Sequence, residues 1–162
     1  MLPNLKAKAQ AIVDQFTSRG EMIAVAESCT GGLVCSLVTA IPGASAVLER
    51  GLITYSNQSK MDLLAVPATV LETHGAVSAE CAEAMVRGLL AACPPTVQTA
   101  VAITGIAGPS GGTPAKPVGL LYIAAARRDG EPAVTQHFFG GDREAVQHLA
   151  ADAAMNKLLS FL

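Results

Sequence analysis

The sequence of 162 residues has few charged and few aromatic residues. Charged residues make up 15% of the chain and aromatic residues 4%, and there is no tryptophan, whereas an average soluble protein has about 25% charged residues. Intrinsic disorder requires high charge and low hydrophobicity, and coiled coils are rich in Glu and Lys, so both classes are excluded. The length corresponds to a single domain at about 100–200 residues per domain, and we expect that domain to span residues 1–162.

Further absences indicate which partners the chain lacks. No apolar run of 18 residues is free of Gly, Pro or polar breaks, so we expect no membrane partner. The formal net charge is −2 and there is no basic patch, so we expect no nucleic-acid partner. The N-terminal residues lack the apolar core of a signal peptide, which favours the cytoplasm. So few charges would coat the surface thinly, which favours a homo-oligomer, with a dimer as our guess.

The cysteines show neither a disulfide pattern nor a metal-binding pattern. There is no C-x-x-C pair among them, and they do not combine with the three histidines in a zinc-like spacing. We therefore expect buried free thiols and no metal site. The four residues are Cys29, Cys35, Cys81 and Cys93.

Interleaved helical and strand patterns predict an α/β fold, a three-layer-like sandwich with a central mixed sheet and helices on both faces. Helices are predicted at 4–18, 33–41, 57–65, 79–92 and 143–161, with a further short helix after Pro67. Strands are predicted at 22–26, 51–55, 100–103, 118–126 and 133–139, the last two forming a hairpin around Asp129-Gly130.

The turn after the first predicted strand contains a candidate nucleophile, Ser28. It lies at the carboxyl end of a buried strand, where α/β sheets open their ligand crevice. Gly31 and Gly32 allow close approach to the backbone, and the first N–H groups of the next helix are expected to face a phosphate or an oxyanion. Most serines before a helix are only N-caps, and the sequence here matches neither G-x-S-x-G nor a P-loop.

Lys60 is the candidate base for Ser28. It follows the second predicted strand and lies early in the next helix, so it can line the same crevice. Burial in a mostly uncharged segment would lower its pKa and make it a base, although most lysines are solvated surface residues. Cys29 stays open as a competing nucleophile, because a helix N-terminus can lower the pKa of a thiol. Since Ser28 and Cys29 are adjacent, only one of them can face a ligand.

Residues 104–119 form a long segment with five Gly and three Pro. Successive glycines allow backbone N–H groups to converge on an anion, although they also simply form turns. Connections of this length inside a compact domain are usually functional or disordered. We expect Thr104 to hydrogen-bond a ligand or to cap the loop, and Lys116 to pair with an anionic ligand or to be solvated.

Five motifs in one order carry a family resemblance. They are E-S-C-T-G-G at 27–32, T-Y-S-N at 54–57 with Lys60, G-A-V-S at 75–78, T-G-I-A-G-P at 104–109 and K-P-V-G at 116–119. Over nearly its whole length the chain resembles the CinA C-terminal family of nicotinamide-nucleotide amidases in its stand-alone form. The sequence departs from the pattern at Ala65, where related chains often have Gly.

The resemblance implies hydrolysis of the carboxamide of nicotinamide mononucleotide, a small-molecule nucleotide, to nicotinate mononucleotide and ammonia in pyridine nucleotide salvage. It makes Ser28 the nucleophile and Lys60 the general base, with Tyr55 positioning the ring or assisting proton transfer, and it implies no metal and no cofactor. The substrate-binding residues that go with it are Thr30, Gly31, Gly32, Asn57, Thr104, Gly105, Ala107, Gly108 and Arg143. Arg143 would bind the substrate phosphate or pair with a carboxylate at a subunit contact.

The resemblance leaves a second function open. The family also carries a competence and DNA-damage label, which would suit a non-catalytic, nucleotide-binding regulatory module that keeps the pocket without turnover.

Overall fold

A computed structural model describes residues 4–162 and contains a five-stranded mixed sheet. The strands are β1 (Met22–Glu27), β2 (Leu48–Ile53), β3 (Val97–Gly105), β4 (Leu120–Arg127) and β5 (Ala133–Phe138). Their spatial order is β2-β1-β3-β4-β5. β1 is parallel to both β2 and β3, whereas β4 is antiparallel to β3 and β5. The predicted mixed sheet and its hairpin are therefore confirmed.

Six helices cover the two faces of the sheet. They are α1 (Leu5–Arg19), α2 (Leu33–Thr39), α3 (Asn57–Leu64), α4 (Ala68–His74), α5 (Ala79–Ala92) and α6 (Arg143–Leu159), with a 3₁₀ turn at Ala44–Ala46. α1, α2 and α6 pack on one face and α3, α4 and α5 on the other. Successive residues of β1 alternate between the two cores, since Ile23 and Val25 face the first and Ala24 and Ala26 the second. The predicted sandwich is confirmed. Among the helices described, none is long and apolar enough to cross a membrane.

The turn between β1 and α2 is organised by a buried carboxylate. Glu27, the last residue of β1, is fully buried. Its side chain accepts hydrogen bonds from the N–H groups of Gly32 (3.1 Å), Val34 (3.2 Å) and Cys35 (2.9 Å). A carboxylate here satisfies N–H groups that lack a partner within the helix and complements the positive end of the helix dipole. The expectation that these N–H groups face an anionic ligand is therefore wrong, because the chain's own carboxylate occupies them.

α3 begins and ends with recognisable caps. The Ser56 hydroxyl accepts from the Ser59 N–H (3.0 Å), and the Ser59 hydroxyl accepts from the Ser56 N–H (3.2 Å), which is a reciprocal capping box. The helix ends at Ala65, whose φ of 52° is left-handed. Glycine is the residue favoured in that conformation, so the departure noted at Ala65 falls at a C-cap. Lys60 follows the N-terminal cap within the first turn of the helix.

α3 lies directly against α5 at a glycine. A Cβ atom added to Gly88 would lie 1.7 Å from the carbonyl oxygen of Leu64. The two helices therefore approach so closely that no side chain fits at position 88. This contact fixes α3 on the sheet, and with it the position of Lys60.

We expect Gly88→Ala to destabilise the fold by about 2 kcal/mol or more, because the added methyl group forces α3 away from α5. This loss should appear although alanine is intrinsically the better helix former by about 1 kcal/mol. Urea denaturation of the two proteins measures the change. Gly130→Ala is the matched control, since a Cβ there meets no atom closer than 3.7 Å. Equal stabilities for the two variants would contradict the close approach.

We expect Glu27→Gln to lower the free energy of unfolding by about 2 kcal/mol, because one amide N–H of α2 then faces an NH₂ donor instead of an oxygen. Glu21→Gln is the control, since Glu21 pairs with Arg127 beside the start of β1, where both side chains are partly exposed and water can satisfy groups left unpaired. Denaturation at one fixed pH compares the two variants. A loss no larger for Glu27→Gln than for Glu21→Gln would argue against this role.

Candidate active site

Ser28 and Lys60, which are 32 residues apart, meet in the structure. The Nζ atom of Lys60 lies 3.0 Å from the Oγ atom of Ser28 and donates a 2.7 Å hydrogen bond to the carbonyl oxygen of Thr54. Ser28 is 8% exposed and Lys60 is 1% exposed. They meet because β1 and β2 are parallel neighbours, so the residues that follow both strands emerge at one edge of the sheet.

The environment of Lys60 shifts its titration towards the neutral form. Burial lowers the pKa of its ammonium group, because the charged form loses hydration, and the nearby thiols of Cys81 and Cys29 offset this only in part. No salt bridge forms at Lys60 among residues 4–162. A neutral amine has a lone pair that can accept the Ser28 proton, and the Thr54 carbonyl orients it. The pair can therefore activate a serine without a histidine.

Cys29 lines the same pocket but has the electrostatics of an unreactive thiol. Burial, together with the smaller effect of the Glu27 carboxylate, raises the pKa of its thiol to about 12. The expected lowering of this pKa is therefore wrong, and the N–H groups at the start of α2 donate to Glu27 instead. A thiol with so high a pKa is protonated at neutral pH and is a poor nucleophile.

The pocket around Ser28 has a volume of about 260 Å³. The predicted site residues that line it are Ser28, Tyr55, Asn57, Lys60, Thr104, Gly105, Ala107, Gly108 and Arg143. Further lining residues, which the sequence analysis did not assign to the site, are Ala76, Val77, Ile106, Ser110 and Gly111. Four structural segments thus surround Ser28, namely the turn after β2 with the start of α3, the segment before α5, the glycine-rich loop after β3 and the start of α6.

Three of the predicted substrate-binding residues do not line this pocket. Thr30, Gly31 and Gly32 lie in the turn below it. Gly31 has a φ of 60° and Gly32 a φ of 99°, so these glycines serve the left-handed backbone that leads into α2. The Thr30 hydroxyl is buried and has no hydrogen-bond partner within the described chain.

Arg143 crosses the mouth of the pocket. Its Nη1 donates to the carbonyl oxygen of Gly108 (2.7 Å) and its Nη2 to the hydroxyl of Tyr55 (2.9 Å). Both acceptors are neutral, and no carboxylate within residues 4–162 forms a salt bridge with Arg143. The guanidinium is always protonated, so it places an uncompensated positive charge beside the opening. Tyr55 is 61% exposed there.

Two contacts join the end of β3 and its loop to the segment before α5. The Thr104 hydroxyl donates a 2.7 Å hydrogen bond to the carbonyl oxygen of Ala76, which leaves the hydroxyl only as an acceptor towards a ligand. Lys116 donates to the carbonyl oxygen of His74 at the C-terminus of α4. Lys116 does not line the pocket, and its contact holds the loop against the helix.

The structure gives no geometry for a metal centre in the part of the chain that it describes. No group of three or more His, Cys, Asp or Glu side chains comes together there. All four cysteines are free thiols.

The same fold and much of the sequence recur in proteins of known structure. A crystal structure of the competence/damage inducible protein CihA from Agrobacterium tumefaciens has a TM-score of 0.94 at 39% identity and covers 99% of this chain and 97% of that one. A CinA superfamily protein from Escherichia coli has a TM-score of 0.91 at 30% identity, with 100% and 94% covered.

Curated relatives extend the similarity and identify the family. A CinA-like protein from Anaeromyxobacter sp. strain K is 48% identical over 149 residues, which are 92% of this chain and 36% of that protein. A putative competence-damage inducible protein from Caldicellulosiruptor bescii is 44% identical over the same shares. The chain therefore spans about a third of the length of these relatives. The CinA C-terminal domain model matches residues 5–162, and the chain belongs to the CinA C-terminal domain family.

Proposed function

We propose that the chain hydrolyses the carboxamide of nicotinamide mononucleotide to nicotinate mononucleotide and ammonia, with Ser28 as nucleophile and Lys60 as general base. The observation that carries the proposal is the buried 3.0 Å contact between Ser28 Oγ and Lys60 Nζ, together with the lowered pKa of Lys60. The raised pKa of the Cys29 thiol supports Ser28 over the adjacent cysteine. The reaction would belong to pyridine nucleotide salvage in the cytoplasm.

The first half of the reaction transfers the acyl group to Ser28. Neutral Lys60 takes the Ser28 proton while Oγ forms a bond to the carboxamide carbon, and the carbonyl π electrons move to oxygen. The tetrahedral intermediate collapses and its C–N bond breaks. Protonated Lys60 gives its proton to the departing nitrogen, which leaves as ammonia. A nicotinoyl ester of Ser28 remains.

The second half releases the acid. Lys60, neutral again, takes a proton from water, whose oxygen attacks the ester carbon. Collapse of the second tetrahedral intermediate breaks the bond to Ser28 Oγ, and Lys60 returns the proton to that oxygen. The products are nicotinate mononucleotide and free enzyme, and the Thr54 carbonyl keeps the amine aimed at Ser28 through both halves.

Arg143 and Tyr55 support a nucleotide as the substrate. The uncompensated guanidinium at the pocket mouth suits a phosphate, which it can bind through two parallel hydrogen bonds. Tyr55 presents an aromatic ring at the same opening and would position the pyridine ring or the ribose. With the phosphate at the mouth, the carboxamide points inward to Ser28.

We also propose that the chain forms a homo-oligomer. The exposed apolar side chains of Ile53 and Phe138, which are 53% and 64% exposed, lie on the two edge strands β2 and β5. Few charges are available to cover such surface. Light scattering in solution measures the state, and a monomer at high concentration would contradict the proposal.

We expect the purified chain to release ammonia from nicotinamide mononucleotide. Ser28→Ala should lower kcat by 10³-fold or more and Lys60→Met by about 10²–10⁴-fold, because the nucleophile and its base are removed. Cys29→Ala is the matched control and should keep kcat within about threefold. A coupled ammonia assay measures all four proteins.

The same assay separates the proposal from the regulatory alternative. An unmodified chain that binds the nucleotide but releases no ammonia at high enzyme concentration would support a non-catalytic module and refute the amidase. Full activity in Ser28→Ala with loss in Cys29→Ala would instead make Cys29 the nucleophile.

We expect kcat/KM to rise with pH along a single limb whose midpoint lies below the ordinary lysine value of 10.5. Lys60 must be neutral to accept the Ser28 proton, and the neutral fraction increases as pH rises through its lowered pKa. Measuring initial rates between pH 5 and 10, at about half-unit steps, gives the profile. A rate that is independent of pH, or that falls with rising pH across this range, would be inconsistent with Lys60 as the base.

A further inference from the structure

The hydrogen bonding between β1 and β3 stops at Ser28. The Ser28 N–H donates a 3.1 Å hydrogen bond to the carbonyl oxygen of Ile103. In a regular parallel pair the following bond would join the Gly105 N–H to the Ser28 carbonyl, since alternate residues of a strand face the same neighbour. Instead the Ser28 carbonyl accepts from the Gly31 N–H (3.1 Å) as the chain turns into α2. β1 thus leaves β3 one bond early.

The Gly105 N–H faces the gap that results. On the opposite side of β3, the Ile106 N–H donates to the carbonyl oxygen of Leu120 (2.9 Å), so Gly105, one residue before it, faces away from β4. Among residues 4–162 no hydrogen bond joins this N–H to the residues after β1. Gly105 and Ser28 line the same pocket. An N–H group left open beside a candidate nucleophile is suited to a negatively charged oxygen.

The start of α2, which also brings N–H groups near Ser28, is already used. The N–H groups of Gly32, Val34 and Cys35 donate to the Glu27 carboxylate. The negative charge of Glu27 would also repel an oxyanion bound there. The β3 side of Ser28 therefore suits developing negative charge better than the start of α2.

We propose that the backbone N–H of Gly105 is a hydrogen-bond donor to the oxyanion of the tetrahedral intermediate. This inference rests on the amidase function proposed above and assigns its oxyanion site. As Ser28 attacks, the C–O bond to serine forms and the carbonyl π electrons become the charge on oxygen that Gly105 stabilises. When the intermediate collapses, the electron pair on oxygen re-forms the C=O double bond, the C–N bond breaks, and Lys60 gives its proton to the departing nitrogen.

Close packing of β3 and β4 holds this N–H in place. A Cβ atom at Gly105 would lie 2.7 Å from the carbonyl oxygen of Leu120 and 2.9 Å from the Cα atom of Leu121. No side chain fits between the strands, so the end of β3 is fixed against β4 by backbone contacts. A donor held by the sheet is preorganised, which is the requirement for stabilising a transient charge.

The test removes the N–H group and leaves its surroundings in place. Cys93 is a native cysteine and allows ligation of recombinant residues 1–92, as a thioester, to synthetic residues 93–162. In the synthetic segment glycolic acid replaces Gly105, so an ester oxygen stands where the N–H was. The control carries the same replacement at Gly112, which does not line the pocket. The unmodified chain is assembled by the same route.

We expect the ester at position 105 to lower kcat on nicotinamide mononucleotide by about 10²–10³-fold, the usual effect of losing one oxyanion donor, with KM within about threefold. The control at position 112 should keep kcat within about threefold. A kcat in the 105 ester equal to that of the control would overturn the assignment. If the unmodified ligated chain releases no ammonia, the amidase proposal itself fails and this inference fails with it.

A second substrate separates an oxyanion contact from a structural effect. Thionicotinamide mononucleotide develops charge on sulfur, which is larger and a weaker acceptor. The unmodified chain should prefer the oxygen substrate, and the ester at position 105 should reduce that preference by about tenfold. A structural disturbance would lower both rates by the same factor, so an unchanged preference would refute the role of Gly105.

Discussion

The hydrogen bonds between the Glu27 carboxylate and the start of α2 determine the character of the whole site. By binding three N–H groups of α2, Glu27 closes the turn in which Ser28 lies and occupies the place that an anionic ligand would otherwise take. The same negative charge contributes to the raised pKa of the Cys29 thiol. One buried carboxylate therefore holds the turn that carries Ser28, adds to the effect of burial on the neighbouring thiol and occupies the N–H groups at the start of α2.

Lys60 differs from Glu27 in its partners. The Glu27 carboxylate accepts three N–H hydrogen bonds, whereas Lys60 is buried without an ion-pair partner in the described chain. A buried ammonium loses hydration, and no carboxylate compensates for that loss. Burial therefore lowers the pKa of Lys60. Burial of an unpaired lysine does not stabilise the folded state. The close contact between α3 and α5 at Gly88 must therefore hold Lys60 in place. A perturbed pKa in a pocket is typical of functional sites, and here its cause is burial.

The sequence was informative where chemistry follows the topology of the sheet. Ser28, Lys60 and Thr104 could be predicted because residues after parallel strands share one edge, and hydrophobic periodicity located the helices and strands. The sequence did not indicate that Ala76 and Val77 line the pocket. Their segment follows a helix and reaches the pocket only through the packing of α4 and α5. The Thr54 carbonyl was missed since a sequence does not show where a backbone oxygen points.

The environment of α2 was the other point that sequence patterns could not determine. A glycine-containing turn between a strand and a helix predicts an anion at the helix N-terminus, and Glu27 is that anion. Whether a ligand or the chain supplies it depends on how far a glutamate side chain reaches back over the turn, which is a property of the folded backbone. The expected low pKa of Cys29 was wrong because burial raises it and the Glu27 carboxylate adds to that effect; neither the burial nor the position of Glu27 is visible in the sequence.

The two basic side chains of the pocket differ in a way that would orient an anionic amide. Lys60 lies deep in the pocket, where burial lowers its pKa, so its neutral form, which has a lone pair for Ser28, is more accessible than in a solvated lysine. Arg143 lies at the mouth between Tyr55 and Gly108, keeps its charge and has no carboxylate partner within residues 4–162. Under the proposed function, a nucleotide with a phosphate at one end and an amide at the other would be favoured in one direction only. On that proposal the buried Lys60 serves catalysis and Arg143 at the mouth serves recognition.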